Sequence, residues 1–347
     1  MIHLLLIHAH AYTLQQYLDT WGRDLRGLLQ ARYYDDLAFG GRLKPGTYIF
    51  GDLERLDDAQ LELARSIWRQ MSARPGDFKL LNDPTRVLRR YELLKTLHAE
   101  GINRFAAYRL DNGAIPQKYP VFLRRENEHD GALSPLLNSR EDLDRAAAEM
   151  TSNGFSRSDL LAIEYCDTAD AAGVYRKYSA FRVGNALFAR HVLHSRKWVL
   201  KKADLVDECY LQEEREYLAA NPHERQLREI FDLAHIQWGR IDYSLLDGVV
   251  QVWEINSNPM IVVAPHRIAP ARLLTQAKFA EDLAAALQSI DHQSTAPLLH
   301  VRIGRSLARR LGITLRQRAA RQLARACRAA ARHLQPDPAS LPRTPQH

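Results

Sequence analysis

A parallel α/β region followed by an antiparallel α+β region is the fold class this sequence predicts. Three observations carry it. Strands and helices alternate through residues 1–80, strands come in turn-linked pairs from about Phe105 onward, and 347 residues are enough for about two domains at roughly 150 each. In the first region, residues 2–7 read as a buried strand, 13–29 as a helix, 46–50 as a strand and 58–71 as a helix. Asp83 and Pro84 open a further helix that carries Val87, Leu88, Tyr91, Leu94 and Leu97 and closes at Gly101. Proline suits a first helical turn and glycine a C-terminal cap. Strands then follow at 121–124, 160–165, 178–183, 186–192, 240–245 and 249–255. Gly184-Asn185 and Asp247-Gly248 serve as hairpin turns between partners. Residues 273–287 form a closing helix, 294–297 a linker, and no internal repeat is visible.

A content of 46% hydrophobic and 26% charged residues excludes a disordered, collagenous or membrane-spanning chain. Cys166, Cys209 and Cys327 are far apart and odd in number, so neither a disulfide framework nor a zinc ribbon is supported, and a reducing compartment follows. The opening apolar run is short and lacks a basic flank, which reads as a strand rather than a signal peptide and points to the cytoplasm. The net charge of +7 is unevenly spread. Residues 296–347 hold eleven Arg and one Asp, a contribution of +10, which leaves −3 for residues 1–295. The basic character belongs to the tail.

The hairpin at 239–259 can be examined by counting faces, because alternate strand residues share one. A two-residue turn at Asp247-Gly248 sets Asp242 opposite in face to Glu254. A three-residue loop, 246–248, pairs 242 with 252 and 240 with 254. It puts Arg240, Asp242, Glu254 and Asn256 on one face and Ile241, Tyr243, Leu245, Val249, Trp253 and Ile255 on the other. Two carboxylates and an amide oxygen converging beside an arginine suit a Mg²⁺ site with positions left for phosphate oxygens. Polar alternation is equally the pattern of a solvated edge hairpin.

The order Asp242, Glu254, Asn256 and Pro259 closely resembles the metal-binding hairpin of the ATP-grasp superfamily, which includes glutathione synthetase and D-alanine:D-alanine ligase. The resemblance covers roughly residues 82–290. It implies an ATP-grasp domain over 81–292, preceded by a pre-ATP-grasp α/β domain over 1–80; the Arg-rich segment after it reads, from its own residues, as a helical tail over 293–347. The resemblance also implies site residues. Arg90, on the helix ending at Gly101, and Arg124, ending the strand at 121–124, stand where the family has two phosphate-binding lysines; arginine keeps the charge and adds a bidentate fork. Residues 125–134, with the single glycine Gly131, stand in place of a Gly-rich phosphate loop. Glu164, Tyr165 and Cys166 resemble the adenine hinge, with Asp167 or Asp170 as the ribose acid and Cys166 as a packing residue rather than a nucleophile. Lys177, Arg196 and Lys201 are the expected contacts to the phosphates.

The activity implied is that of an ATP- and Mg²⁺-dependent carboxylate–amine (or thiol) ligase working through an acyl phosphate, with Asp242, Glu254 and Asn256 holding the metal and Arg240 the acyl phosphate. A small-molecule kinase and a nucleotide-binding protein without ligase activity are the rival readings. The partners implied are a small carboxylate and an amine, with no transmembrane segment. His8, His10 and Tyr12, after the first strand, are candidates for the substrate pocket, the two histidines reading as ordinary strand-end polar residues rather than ligands. In the tail, Leu307, Leu311, Leu315, Ala319, Leu323, Cys327 or Ala326, Ala330 and Leu334 recur at near-helical spacing, interrupted at Gly312. This basic amphipathic helix is expected to dock on the slightly acidic body, with an acidic partner, anionic lipid or RNA as the alternative ligands.

Overall fold

A computed structural model describes residues 1–128 and 131–312. The N-terminal layer runs β1 (Ile2–Leu6), α1 (Tyr12–Asp19), β2 (Leu29–Tyr33), α2 (Tyr34–Leu37), β3 (Gly41–Leu43), β4 (Gly46–Phe50), α3 (Asp58–Ser72) and β5 (Phe78–Leu81). Its sheet is parallel in the order β2-β1-β4-β5. Every residue of β1 and β4 is buried, as expected of parallel strands covered on both faces. The long helix expected over 13–29 is instead α1, a turn and β2. A side chain on Gly22 would strike the Tyr17 ring, so the chain folds back there and returns as a strand.

The second region adds α4 (Arg90–Ala99), β6 (Ala107–Arg109), β7 (Val121–Arg125), α5 (Arg140–Ser152) and β8 (Leu160–Glu164). These three strands form an antiparallel sheet ordered β6-β8-β7. Then come β9 (Tyr175–Val183), β10 (Ala186–Ser195), α6 (Glu208–Ala220), α7 (Glu224–Leu233), β11 (Trp238–Leu246) and β12 (Val249–Asn256), giving a second antiparallel sheet ordered β10-β9-β11-β12. The helix expected to open at Asp83-Pro84 begins seven residues later, at Arg90. Asp83 Oδ1 accepts from the Thr85 amide at 2.8 Å and its hydroxyl at 2.7 Å, and that turn competes with helix. Gly101, at φ +71°, follows the helix end as expected.

The closing helix is α8 (Leu273–Ile290), followed by β13 (Leu299–Val301) and α9 (Arg305–Arg310). Phe279, Leu283 and Leu287 of α8 join Ile2, Leu4 and Ile49 to Phe181 and Trp238 in one core, so the parallel layer and the second antiparallel sheet are packed together. Buried Asn82, at φ +63°, pins the same junction. Its amide donates to the Phe50 and Trp238 carbonyls at 3.0 and 2.8 Å and accepts from the Gln237 and Trp238 amides. β13 pairs antiparallel with β3, and Leu307 and Leu311 pack on the N-terminal core. The tail helix expected over 306–334 is α9 as far as Arg310; its continuation past Gly312, and with it the remainder of the docking expectation, lies outside the described residues. Among the described residues, no helix is long and apolar enough to cross a membrane.

His3, fully buried on β1 against the Tyr48 ring, is held down to about 4 by burial and then by the Arg32 charge. The unfolded chain binds this proton near pH 6.5 and the folded chain near 4, so stability is lost as pH falls between the two. His3→Phe is expected to remove about 2 kcal/mol of the stability lost between pH 7 and pH 5, read by urea unfolding at both values.

Candidate active site

The β11–β12 hairpin closes by a two-residue turn: Leu246 pairs with Val249, and Asp247 and Gly248 both have positive φ. The three-residue loop expected from face counting is therefore not used. A bulge at Trp253 does the same work. It lets Tyr243 pair with Val252 and Asp242 with Glu254, which restores both carboxylates to one face. It also moves Trp253 off the apolar face, so that it stacks on Phe105 with ring centroids 5.0 Å apart and lines the cleft between the two antiparallel sheets. Next to this pair, Arg240 lies opposite Asn256. Gly239 is required there, since a Cβ would come within 2.7 Å of the Asn256 carbonyl oxygen.

Asp242 Oδ1 accepts from Ser179 Oγ at 3.0 Å and Arg240 Nε at 2.9 Å, while Lys177 Nζ stands 3.6 Å from Oδ2. Glu254 Oε2 accepts from Arg90 Nη2 at 2.6 Å and Arg124 Nη2 at 2.9 Å. Asn256 donates to Glu254 Oε1 at 3.1 Å, which leaves Asn256 Oδ1 buried with no hydrogen-bond donor among the described residues. An orphaned buried acceptor beside two carboxylates fits a hard cation. Among the described residues no three His, Cys, Asp or Glu side chains form a metal cage, so such a cation rests on two carboxylates and one amide oxygen. Mg²⁺ tolerates so sparse a set because it takes its remaining ligands from water and phosphate. Asn256→Ala is expected to leave the melting temperature within a few degrees and to weaken Mg²⁺ binding about tenfold, measured by calorimetry.

The two expected phosphate arginines part company. Arg124 lines the cleft, and burial followed by the Arg90 charge draws its pKa down to about 10, which a bound anion would reverse. Arg90 does not line the cleft. Its side chain is 2% exposed beneath Glu254, and its Nη1 donates to the carbonyls of Arg125, Glu126 and Glu128 at 3.1, 2.6 and 2.6 Å. It therefore positions Glu254 and the chain after β7 and does not face a phosphate. Further along, Gly131, at φ +87°, lies under Lys201, whose Cε is 2.6 Å from where a Cβ would be.

At the other end of the cleft, Glu164 points inward: its carboxylate accepts from the Ala106 and Lys118 amides and the Tyr108 hydroxyl at 2.9–3.0 Å. Its side chain fastens the hinge, and Tyr165 and Cys166 line the cleft. Burial pushes the Cys166 thiol up to about 11, consistent with packing rather than nucleophilic chemistry. Asp170 is committed to the Ala172 and Val174 amides and to Arg176, which holds it down to about 2. Asp167 caps its own turn at the Ala169 amide and remains the acid next to the hinge. Lys177 and Lys201 line the cleft; Arg196 is exposed and donates to the Ala172 carbonyl, so the phosphate role expected of it is not met by its position.

Sequence reading missed Trp198, which stands 5.0 Å from Phe122 and 5.7 Å from Tyr165 and walls the cleft beside the hinge. It also missed Asp52. This fully buried carboxylate accepts from the Ile7 amide, His10 Nδ1, Arg55 and Asn258, and so ties the N-terminal layer to the segment after Asn256. The φ of +56° at Asp52, just after a buried strand, leaves no periodic trace in sequence.

Several solved structures are similar to this chain. D-alanine–D-alanine ligase from Bacillus anthracis, complexed with ATP, is 11% identical over 83% of this chain and 96% of its own, at a TM-score of 0.45. L-amino acid ligase from Bacillus licheniformis is 11% identical over 83% and 74%, at 0.40. Carboxyaminoimidazole ribonucleotide synthase from Aspergillus clavatus, complexed with ATP, is 13% identical over 87% and 79%, at 0.47. No protein-family model matches this chain, and no curated protein matches it.

Proposed function

We propose that this protein is an ATP- and Mg²⁺-dependent ligase that joins a small carboxylate to an amine or thiol through an acyl phosphate. The observation that carries this reading is the Asp242–Glu254 pair with the orphaned Asn256 Oδ1 beside it. Among the described residues Arg90, Arg124, Arg240 and Lys177 pair with those two carboxylates, an excess of two positive charges around the pair. A net-anionic Mg·ATP complex offsets that excess, whereas a neutral ligand leaves it standing. Asp242, Glu254 and Asn256 would hold Mg²⁺, which neutralises charge on the phosphates as the γ-group leaves.

The chain's own groups do the remainder. Phe122, Trp198 and Trp253 offer faces for a purine beside the Tyr165–Cys166 hinge. Arg124, Lys177 and Lys201 meet the phosphates. A substrate carboxylate oxygen attacks the γ-phosphorus and ADP departs; the amine then attacks the acyl carbon, phosphate leaves, and the amine proton passes to solvent. Arg240, fixed by Asp242 at 2.9 Å, would hold the acyl phosphate oxygen.

Purified protein with ATP and Mg²⁺ is expected to release ADP and phosphate only when pooled carboxylic acids and amines are both present. A phosphorylated product formed without an amine indicates a kinase. ATP binding with no turnover on any pool indicates a nucleotide-binding protein, and failure to bind ATP removes the reading. Trp198→Ala is expected to weaken ATP binding about tenfold by calorimetry with little change in melting temperature.

A further inference from the structure

The polar face of the second antiparallel sheet continues past the hairpin onto β10, where one residue has no counterpart in the proposal above. Arg190 sits in a bulge between Ala189 and His191. Bulges re-aim side chains, and this one turns Arg190 onto the same face as Arg240. There its guanidinium lies 4.1 Å from the centroid of Phe279, a ring packed on Phe181 and Phe188 of that face. Arg190 is 5% exposed; its Nε donates to the Ile261 carbonyl at 3.3 Å, and among the described residues no carboxylate pairs with it. A buried guanidinium without a counter-ion is costly, and it sits here next to more positive charge. Burial and then the Arg240 and Arg272 charges draw its pKa down to about 9, and burial, followed by the charges of Arg190 and Arg240, lowers that of the neighbouring His191.

The two nearby arginines are already engaged. Arg240 holds Asp242, and Arg272, at the start of α8, holds buried Glu214. Both remain partly exposed, so a ligand can reach them. β9 separates β10 from β11, which spaces the backbones of Arg190 and Arg240 about 10 Å apart. That spacing suits the two ends of one small molecule better than a single phosphoryl group.

We propose that the carboxylate substrate carries a second anionic group, a carboxylate or a phosphate, which seats on Arg190. This rests on the ligase reading for what happens at the first carboxylate, but the anion subsite can be tested without turnover.

The test is calorimetric binding of succinate, glutarate, phosphoglycolate and butyrate to the full chain, with and without Mg²⁺ and a non-hydrolysable ATP analogue. The dianionic acids are expected to bind at least tenfold more tightly than butyrate, and the tighter of the dicarboxylate and phosphocarboxylate arms names the second group. Arg190→Met, close in volume, is expected to abolish that preference while nucleotide affinity stays within twofold; Arg190→Lys is expected to restore part of it. Wild-type protein that does not prefer the dianions, or an Arg190→Met protein that keeps the preference, overturns the proposal. Diacid binding with no ADP release on any pool upholds the subsite and removes the ligase reading; turnover on monocarboxylates at equal kcat/KM does the reverse.

Discussion

Glu254→Gln is expected to lower ATP turnover roughly 10³-fold, because it removes a formal charge from the metal position while leaving an oxygen for the arginines. Glu254→Ala is expected to do more than that. Glu254 Oε2 is the shared partner of Arg90 and Arg124, two guanidiniums buried side by side. Truncating it leaves both without that partner and facing each other, a change that costs about 3–5 kcal/mol when one member of a buried ion pair is removed. The glutamine variant keeps a neutral acceptor and is expected to lose about 1–3 kcal/mol. Urea unfolding separates the two, and added sulfate supplies a second readout. It is expected to raise the melting temperature of Glu254→Ala more than that of wild type, since the freed arginines form an anion site. A Glu254→Ala protein of wild-type stability would show that the two arginines do not depend on this carboxylate, and normal turnover by Glu254→Gln would remove the metal site.

The shared face of the hairpin was legible because it rests on residue type and spacing: Arg240, Asp242, Glu254 and Asn256 do lie together. The device that puts them there was not. A bulge is one extra residue in a strand, and Trp253 looks in sequence like any other apolar strand position, so the face count reached the arrangement through the wrong turn. Short strands were lost for a related reason. Leu29–Tyr33 and Ala107–Arg109 are too brief and too mixed to show alternation, and they become strands because a neighbouring edge is there to pair with. Nor does Arg90 announce its direction in sequence. A charged residue at the head of a helix reads as solvated or ligand-facing, and only the packing of β7 and β12 around it shows that it points inward.

That inward position gives the second large effect. Arg90→Lys keeps the charge, so an Arg90 that simply touched phosphate would tolerate it with little loss of stability. The structure expects otherwise. Nη1 donates to three carbonyls over residues 125–128 while Nη2 holds Glu254, a set of directions fixed by the planar fork of one guanidinium. A lysine ammonium is a single point with three donors and cannot reach both groups from one place. Arg90→Lys is therefore expected to cost about 2–4 kcal/mol of stability and to raise amide exchange over residues 125–128. ATP affinity is expected to fall about tenfold to a hundredfold as a consequence, because Glu254 and the chain after β7 lose their common anchor. Calorimetry, urea unfolding and hydrogen exchange on the same variant decide the matter: reduced ATP affinity with wild-type unfolding and unchanged exchange would return Arg90 to a direct phosphate contact, and loss on all three would establish it as the residue that holds the site's two walls in register.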